Sequence, residues 1–326
     1  MVQRQKRIAA IALVYLTFQA LCFGQSTFNI NLDAIRNSVV FMYLRGPDGS
    51  LKDAGTGFLL LAPSKAQPDR AYTMLVTARH IADPGWAGCL GMQGTLFAVF
   101  NTKATAGHSA GTIEIPLSSF WLYSSDDNAD VAVTLLNAPL LEQNNVENLP
   151  VKVSELPHGG EDDKIDAGAQ IVSAGLLLGA SGARRNYPIF KFGYVSSKPD
   201  EDISVNCAPG LPQRPMKEWM ISASLVAGNS GSPIYFVPVG FPGIGLSGQR
   251  PFLLGVQSMS FIGSDVAGMT PVRYLIDAMR RISFPDLDFS IFNDQLKGPT
   301  AVPSSSMPQS APVATPTGPP LQKDRQ

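Results

Sequence analysis

Short apolar segments separated by Gly and Pro constrain the fold of this chain more than any other feature. The segments have the alternating or β-branched pattern of strands and cover residues 39–43, 57–61, 72–77, 95–100, 130–136, 190–196, 219–224 and 251–260. The chain holds 30 Gly and 26 Pro, a composition that favours many short strands over long helices. Apolar residues make up 44% of the chain, enough for a large core. The sequence therefore predicts a β-rich body.

One helix is predicted near the end of this body. In "VRYLIDAMRRI", Leu275, Met279 and Ile282 fall on one helical face. Thr270 has the side chain of an N-cap, and proline is favoured at the first helical position. We therefore expect a carboxy-terminal helix that begins at Pro271.

A polar stretch divides the strand-forming segments into two halves. Residues 142–168 break the strand pattern with polar and turn-forming residues. We interpret this stretch as a connector between a first half, about residues 28–145, and a second half, about residues 165–285.

Both ends of the chain differ from this body. Basic residues, the apolar run 8–23 and then small and polar residues are typical of a secretory signal peptide covering residues 1–24. The alternative is an uncleaved membrane anchor, for which the run is short. The Pro- and Ser-rich residues 297–326 are predicted to be a disordered tail, because they cannot bury enough apolar surface to fold. We expect a secreted or periplasmic protein with its folded domain in residues 25–296 and no stable membrane insertion.

Charge and cysteine content exclude some classes of function. Loss of residues 1–24 removes three basic residues and no acidic ones, so the formal net charge of −1 becomes −4. This balance offers nothing that attracts nucleic acid. Cys89 and Cys207 remain, and an exported compartment permits but does not require a disulfide between them. Neither has the C-x-x-C spacing of a zinc site.

The heptapeptide "AGNSGSP" places one serine, Ser230, between glycines. Glycine allows positive φ and close approach of another backbone, so we expect a tight loop that presents the serine hydroxyl. Two other segments supply groups that activate such a hydroxyl: "MLVTARH" delivers His80 into a loop after an apolar strand, and Asp130 opens another apolar strand in "ADVAV". A serine hydrolase needs a hydroxyl, an imidazole that accepts its proton, and a carboxylate that orients the imidazole. These three residues are our catalytic candidates.

Other residues of the same types fit these roles less well. Asp126 and Asp127 are alternatives for the carboxylate, but neither is directly followed by an apolar strand. His108 and His158 lie in Gly- or Pro-containing loops, where a solvated histidine is the simpler interpretation. The chain order His, Asp, Ser also differs from the Ser, Asp, His order of the alpha/beta-hydrolases.

Together the three segments resemble the motifs of the trypsin-like (chymotrypsin-fold) serine peptidases. "LVTARH", "ADVAV" and "GNSGSP" are similar to that family's Thr-Ala-Ala-His, Asp-hydrophobic-Ala-hydrophobic and Gly-Asp-Ser-Gly-Gly-Pro motifs, in the same order. The resemblance is greatest to bacterial exported members of the high-temperature-requirement type, without their appended peptide-binding domain. It implies an all-β fold of two antiparallel six-stranded β-barrels with the site between them, followed by a short carboxy-terminal helix.

The resemblance also implies a mechanism. Ser230 would attack a peptide carbonyl, His80 would accept and return a proton, and Asp130 would orient His80. The backbone N–H groups of Gly228 and Ser230 would form the oxyanion hole. The substrate is then a protein or peptide, and neither a cofactor nor a metal ion is required. Because only neutral imidazole accepts a proton, activity is expected to fall as the pH is lowered.

Counting along the family's motifs places a substrate pocket at Ser224 and at Val256, Gln257 and Ser258. An uncharged pocket base implies a preference for small or apolar side chains. The natural substrate and the oligomeric state do not follow from these residues.

Three residues depart from the family's pattern. Asn229 replaces an aspartate that in many members pairs with a newly cut amino terminus, so activation by clipping is not expected. Arg79 occupies a place where a small residue is usual, and it either points outward or crowds the site. Ser232 replaces a common glycine. The alternative to a peptidase is therefore a catalytically silent member of the same fold that acts as a binding module.

Overall fold

A computed structural model describes residues 30–290 of the protein, apart from 68, 88–93, 118–119, 178–181, 183, 207–211, 225–227, 239–249, 262–263, 283–285 and 289. The predicted signal peptide, the predicted tail, and both Cys89 and Cys207 lie outside the described residues.

The first half of the chain forms an eight-stranded sheet. Its strands are β1 (Val39–Arg45), β2 (Leu51–Pro63), β3 (Ala71–Thr77), β4 (Thr95–Thr102), β5 (Gly111–Pro116), β6 (Leu122–Tyr123), β7 (Ala132–Leu135) and β8 (Val151–Lys152). The order is β5-β4-β1-β2-β3-β7-β6, and β8 pairs with β2 in parallel. Strands β6 and β8 have two residues each, and the sheet has eight strands where six were predicted for this half.

The second half forms a closed barrel of six antiparallel strands in the order β10-β13-β16-β15-β14-β9. These strands are β9 (Gln170–Gly175), β10 (Ile189–Ser197), β13 (Trp219–Ser222), β14 (Pro233–Phe236), β15 (Phe252–Ser260) and β16 (Val266–Pro271). A separate hairpin joins β11 (Ile203–Val205) to β12 (Arg214–Met216). The predicted all-β fold is confirmed, and each of the predicted strand segments overlaps a strand of the structure.

Strands β2 and β3 are buried on both faces because each separates two cores. On one face, Phe58 and Leu60 of β2 and Met74 of β3 belong to a cluster that also contains residues of the second half. On the other face, Leu59 and Leu75 belong to a cluster formed by the first half alone. Since successive side chains of a strand point to opposite faces, continuous apolar runs supply both cores. The shared cluster holds the two halves together beside the candidate site.

The described helices are short: α1 (Leu32–Ser38), α2 (Arg79–Ala82), α3 (Pro84–Ala87), α4 (Ala138–Gln143) and α5 (Val272–Arg280). Among the residues that the structure describes, no helix is long and apolar enough to cross a membrane. The predicted connector, residues 142–168, contains β8 and two single-turn 3-10 helices, Val153–Glu155 and Asp162–Lys164.

Helix α5 confirms the predicted carboxy-terminal helix but not its predicted cap. The helix begins at Val272, with Pro271 as the N-cap residue, and Pro271 still belongs to β16. The hydroxyl of Thr270 is fully buried and bonds to Glu218 and to the carbonyl of Asp130. The Thr270 side chain therefore makes buried hydrogen bonds beside the candidate site and does not cap the helix.

Candidate active site

The loop that carries Ser230 is fixed by backbone contacts from both halves of the chain. The N–H of Thr56 on β2 donates to the carbonyl of Ser230 at 2.7 Å, and the N–H of Gly231 donates to the carbonyl of Gln257 on β15 at 2.7 Å. The side-chain amide of Asn229 donates to the carbonyl of Leu176 at 2.9 Å. These bonds place Ser230 at the boundary between the two halves.

His80 and Asp130 form a buried pair. Asp130 Oδ2 lies 2.7 Å from His80 Nδ1, and Asp130 Oδ1 accepts the backbone N–H of His80 at 2.9 Å. Their exposures are 8% for His80 and 1% for Asp130. Because a carboxylate only accepts hydrogen bonds, Nδ1 carries the ring proton and Nε2 is left as an acceptor.

Strand pairing brings the two residues of this pair together. His80 is in α2, directly after β3, and Asp130 lies two residues before β7. Thr77 of β3 is the register partner of Ala132 of β7. The two segments therefore leave the same edge of the sheet, and a 50-residue separation in sequence becomes a direct contact.

The backbone of Ser230 approaches Ile81, the residue after His80, and the Ser230 hydroxyl is not hydrogen-bonded to His80. The Ser230 hydroxyl donates to the carbonyl of Ser258 at 3.0 Å. A Cβ added at Gly55 would meet Ile81 Cδ1 at 2.4 Å and the carbonyl oxygen of Ser230 at 2.8 Å. Ile81, the residue after His80, and the backbone of Ser230 thus meet where the side chain of a larger residue at Gly55 would lie. Catalytic hydrogen bonds are often incomplete in the absence of substrate, so this geometry is compatible with a hydroxyl that turns toward His80.

Two backbone N–H groups of the serine loop have no hydrogen-bond acceptor among the described residues. Gly228 has a φ of +93°, which favours glycine, and its carbonyl accepts the hydroxyl of Thr56 at 2.7 Å. Neither the N–H of Gly228 nor that of Ser230 donates to another described residue.

The predicted pocket residues have different surroundings. Ser224 is exposed, and its carbonyl accepts the ammonium group of Lys191. The ammonium group of Lys191 therefore lies next to Ser224. Val256 is fully buried in the core shared by the two halves, and the Gln257 amide donates to the carbonyl of Met259 at 2.9 Å. Of the predicted pocket residues, Ser258 contacts Ser230 directly.

Arg79 is held by aromatic and acidic side chains. Its Nη1 donates to Asp127 at 2.8 Å, and its Cζ lies 4.7 Å from the Trp86 ring centre and 4.5 Å from that of Tyr123. Such stacking of a guanidinium on aromatic faces is favourable. These contacts fix the Arg79 side chain in the loops beside α2, and its hydrogen bond is made to Asp127.

The two alternative carboxylates have other partners. Asp127 binds Arg79 and, at 3.3 Å, Arg214. Asp126 lies 3.7 Å from the ammonium of Lys217. The carboxylate that contacts His80 is Asp130.

Second-half residues that sequence reasoning missed hold the loop before Asp130. Asp277 of α5 accepts the hydroxyl of Ser124 at 2.8 Å and the N–H of Ser125 at 2.6 Å. Arg214 of β12 donates to the carbonyl of Asp127 at 2.9 Å. The residues that make these contacts are 87 to 153 positions apart in the sequence, so no local sequence pattern predicts them.

A buried acid, Glu218, is the other site residue that sequence reasoning missed. It lies directly before β13 and is 2% exposed. Its carboxyl bonds to the hydroxyls of Ser258 and Thr270. Burial raises the pKa of Glu218 well above its ordinary value, and the nearby Asp130 adds to this effect. The signal in the sequence is an acidic residue next to a strand that is otherwise apolar.

The remaining candidates lie away from this cluster. His108 is in an exposed turn, and His158 Nε2 lies 3.2 Å from the carbonyl of Ser154. In the described part of the chain, no group of three or more His, Cys, Asp or Glu side chains could hold a metal ion.

Comparisons with known proteins find a match among solved structures. No family model matches this chain, and no curated protein matches it. Among solved structures, the chain is similar to Rv3671c from M. tuberculosis H37Rv, in the inactive form of a serine-to-alanine mutant. The identity is 17% and the TM-score 0.39, and the match covers 79% of this chain and 93% of that chain.

Proposed function

We propose that this protein is an exported serine endopeptidase that hydrolyses peptide bonds with Ser230, His80 and Asp130. The observation that carries the proposal is the buried His80–Asp130 pair, which leaves Nε2 of the imidazole as an acceptor beside the serine loop. The proposal of export rests on the amino-terminal sequence.

In the proposed reaction, the Ser230 hydroxyl leaves the carbonyl of Ser258 and donates its proton to His80 Nε2 as it attacks the substrate carbonyl. Asp130 keeps the imidazole in the required tautomer and stabilises its positive charge. The N–H groups of Gly228 and Ser230 bind the developing oxyanion, and loss of one such donor typically raises the barrier by about 2.7–4 kcal/mol. His80 then gives this proton to the amine as the peptide C–N bond breaks, which leaves the acyl group on Ser230. Water next gives a proton to His80 as it attacks the acyl-enzyme, and that proton returns to Ser230 as the acid is released.

A fluorophosphonate probe tests this proposal because it reacts with activated serines. We expect the purified protein to be labelled once per chain. Ser230→Ala should abolish labelling, and His80→Ala should slow it by about 10³-fold or more. Ser264→Ala and His108→Ala, which change an exposed serine and an exposed histidine, serve as controls and should react like the wild type.

A catalytically silent binding module is the second candidate function. The observation that favours it is the hydrogen bond from the Ser230 hydroxyl to Ser258 in place of His80. Absence of labelling in a folded wild-type protein, or labelling that persists in Ser230→Ala, would support this alternative over the peptidase.

A further inference from the structure

Glu218 connects the two parts of the candidate site. Its Oε2 accepts the hydroxyl of Ser258 at 2.5 Å, and its Oε1 lies 3.2 Å from the hydroxyl of Thr270. The Thr270 hydroxyl lies 3.4 Å from the carbonyl of Asp130. Ser258 in turn holds the hydroxyl of Ser230 through its own carbonyl. These hydrogen bonds, joined covalently through the residues Ser258 and Asp130, link the Ser230 side of the site to the Asp130 side.

This carboxyl has no cationic partner. Within the described residues, no Lys, Arg or His forms an ion pair with Glu218. The elements packed against it contribute the hydroxyls of Ser258 on β15 and Thr270 on β16, and the charged group that acts on it is Asp130. An isolated buried carboxylate is strongly unfavourable, whereas a neutral acid can be buried when its hydrogen bonds are satisfied.

The number of available protons also favours a neutral acid. Thr270 has one hydroxyl proton and faces two acceptors, the Glu218 carboxyl and the carbonyl of Asp130. If Glu218 is ionised, one of these acceptors receives no proton from Thr270. If Oε1 is protonated, it donates to Thr270, which then donates to Asp130, while Ser258 donates to Oε2. The protonated form therefore gives a hydrogen-bond partner to the Glu218 carboxyl, to both hydroxyls and to the carbonyl of Asp130.

The backbone of β15 and β16 leaves room for the Glu218 carboxyl. The register of β15 against β16 shifts between Gln257 and Met259, so Ser258 is an extra residue in its strand. A bulge of this kind re-aims a side chain, here toward Glu218. A Cβ at Gly268 would lie 2.8 Å from Glu218 Oε2 and 3.0 Å from Ser258 Oγ, so a larger residue would crowd the carboxyl.

We infer that Glu218 is a neutral, buried carboxylic acid that positions the candidate site by linking Ser258, which holds Ser230, to Asp130, which holds His80. Its effect on reaction rate rests on the proposed function. The neutral acid itself is tested without any activity.

The first test compares the urea unfolding of the wild type and of Glu218→Gln across pH 5 to 8. Burial raises the pKa of Glu218 in the folded protein, so above the ordinary glutamate value of 4.5 the folded state retains a proton that the unfolded state has lost. Wild-type stability therefore falls relative to Glu218→Gln as the pH rises. We expect the ratio of the two unfolding constants, wild type over variant, to grow by up to about tenfold per pH unit.

Glu142→Gln is the control for this test because Glu142 is exposed on α4. We expect the ratio of the unfolding constants of the wild type and Glu142→Gln to stay nearly constant across pH 5 to 8. A constant ratio for Glu218→Gln as well would overturn the inference.

The second test measures the rate constant of fluorophosphonate labelling. Glu218→Gln keeps a donor and an acceptor and removes no charge, so we expect a rate within about threefold of the wild type and an unmoved acid limb of the pH profile. Glu218→Leu and Thr270→Val break the link, and we expect each to slow labelling at least about tenfold. Thr270→Val decides the question if Glu218→Leu does not fold.

Wild-type rates in folded Thr270→Val, or an acid limb that moves to lower pH in Glu218→Gln, would overturn the positioning role. A shift of the acid limb to lower pH would show that the amide had replaced a negatively charged carboxylate beside Asp130, so that Glu218 was not neutral. A wild type that is not labelled at all would overturn the proposed function, and the unfolding ratio would still decide whether Glu218 is neutral.

Discussion

Replacement of Asp130 by asparagine is expected to lower the labelling rate constant and the kcat/KM for an unstructured protein substrate such as casein by about 10⁴-fold. The side-chain amide can donate to His80 Nδ1, which then becomes the acceptor. The ring proton moves to Nε2, and the imidazole can no longer accept the proton of Ser230. The backbone N–H of His80 retains an oxygen acceptor in the variant, so we expect the fold to be kept.

Asp127→Asn and Asp126→Asn are matched controls for this prediction. Their carboxylates bind Arg79, Arg214 and Lys217, and neither contacts His80. We expect both variants to keep rates within a few-fold of the wild type. A loss of about 10⁴-fold in either one, with Asp130→Asn near the wild-type rate, would show that the contact between His80 and Asp130 does not orient the base.

Five of the eight strands of the first half, β1 to β4 and β7, could be predicted from the sequence because their apolar runs are long, whereas β5, β6 and β8 were not predicted. β2 and β3 each supply two cores, so nearly every residue in their central parts is apolar. Short strands that contain Gly or Pro carry a weaker signal. β16 reads "VAGMTP", in which Gly268 and Pro271 are typical of a turn, and sequence analysis did not predict it.

The residue types of the candidate site could be predicted, but their surroundings could not. His80 and Asp130 each lie next to an apolar strand, which is a local signal. The role of Glu218 depends on contacts with Ser258 and Thr270, which are 40 and 52 residues away in sequence. These residues come into contact only when the strands of the barrel pair. The sequence around Glu218 therefore does not show that its carboxyl is buried, and burial determines whether the carboxyl is charged.

The start of α5 shows how a tertiary contact overrides a local preference. Thr270 before Pro271 is a good capping sequence in isolation. In the folded chain the Thr270 hydroxyl is fully buried, where an unbonded hydroxyl is costly. The bonds to Glu218 and Asp130 satisfy it, and the helix begins one residue later than predicted.

Replacement of Gly231 by alanine is expected to destabilise the protein strongly and to abolish labelling of Ser230. Gly231 has a φ of +88°, and a Cβ there would lie 1.8 Å from the carbonyl oxygen of Thr56 and 2.5 Å from Thr77 Oγ1. The left-handed conformation costs about 1–2 kcal/mol for a residue with a side chain, and overpacking typically adds about 1–3 kcal/mol. We therefore expect the free energy of unfolding in urea to fall by about 2–5 kcal/mol.

Gly49→Ala separates the two contributions to this loss. Gly49 has a similar φ of +80°, but a Cβ there would meet no atom within 4 Å. We expect Gly49→Ala to lose about 1 kcal/mol and to be labelled like the wild type. If both variants lost the same stability, the backbone conformation alone would explain the need for glycine. A larger loss in Gly231→Ala, together with lost labelling, would show that the serine loop is held in its reactive position by close contact with β2 of the first half.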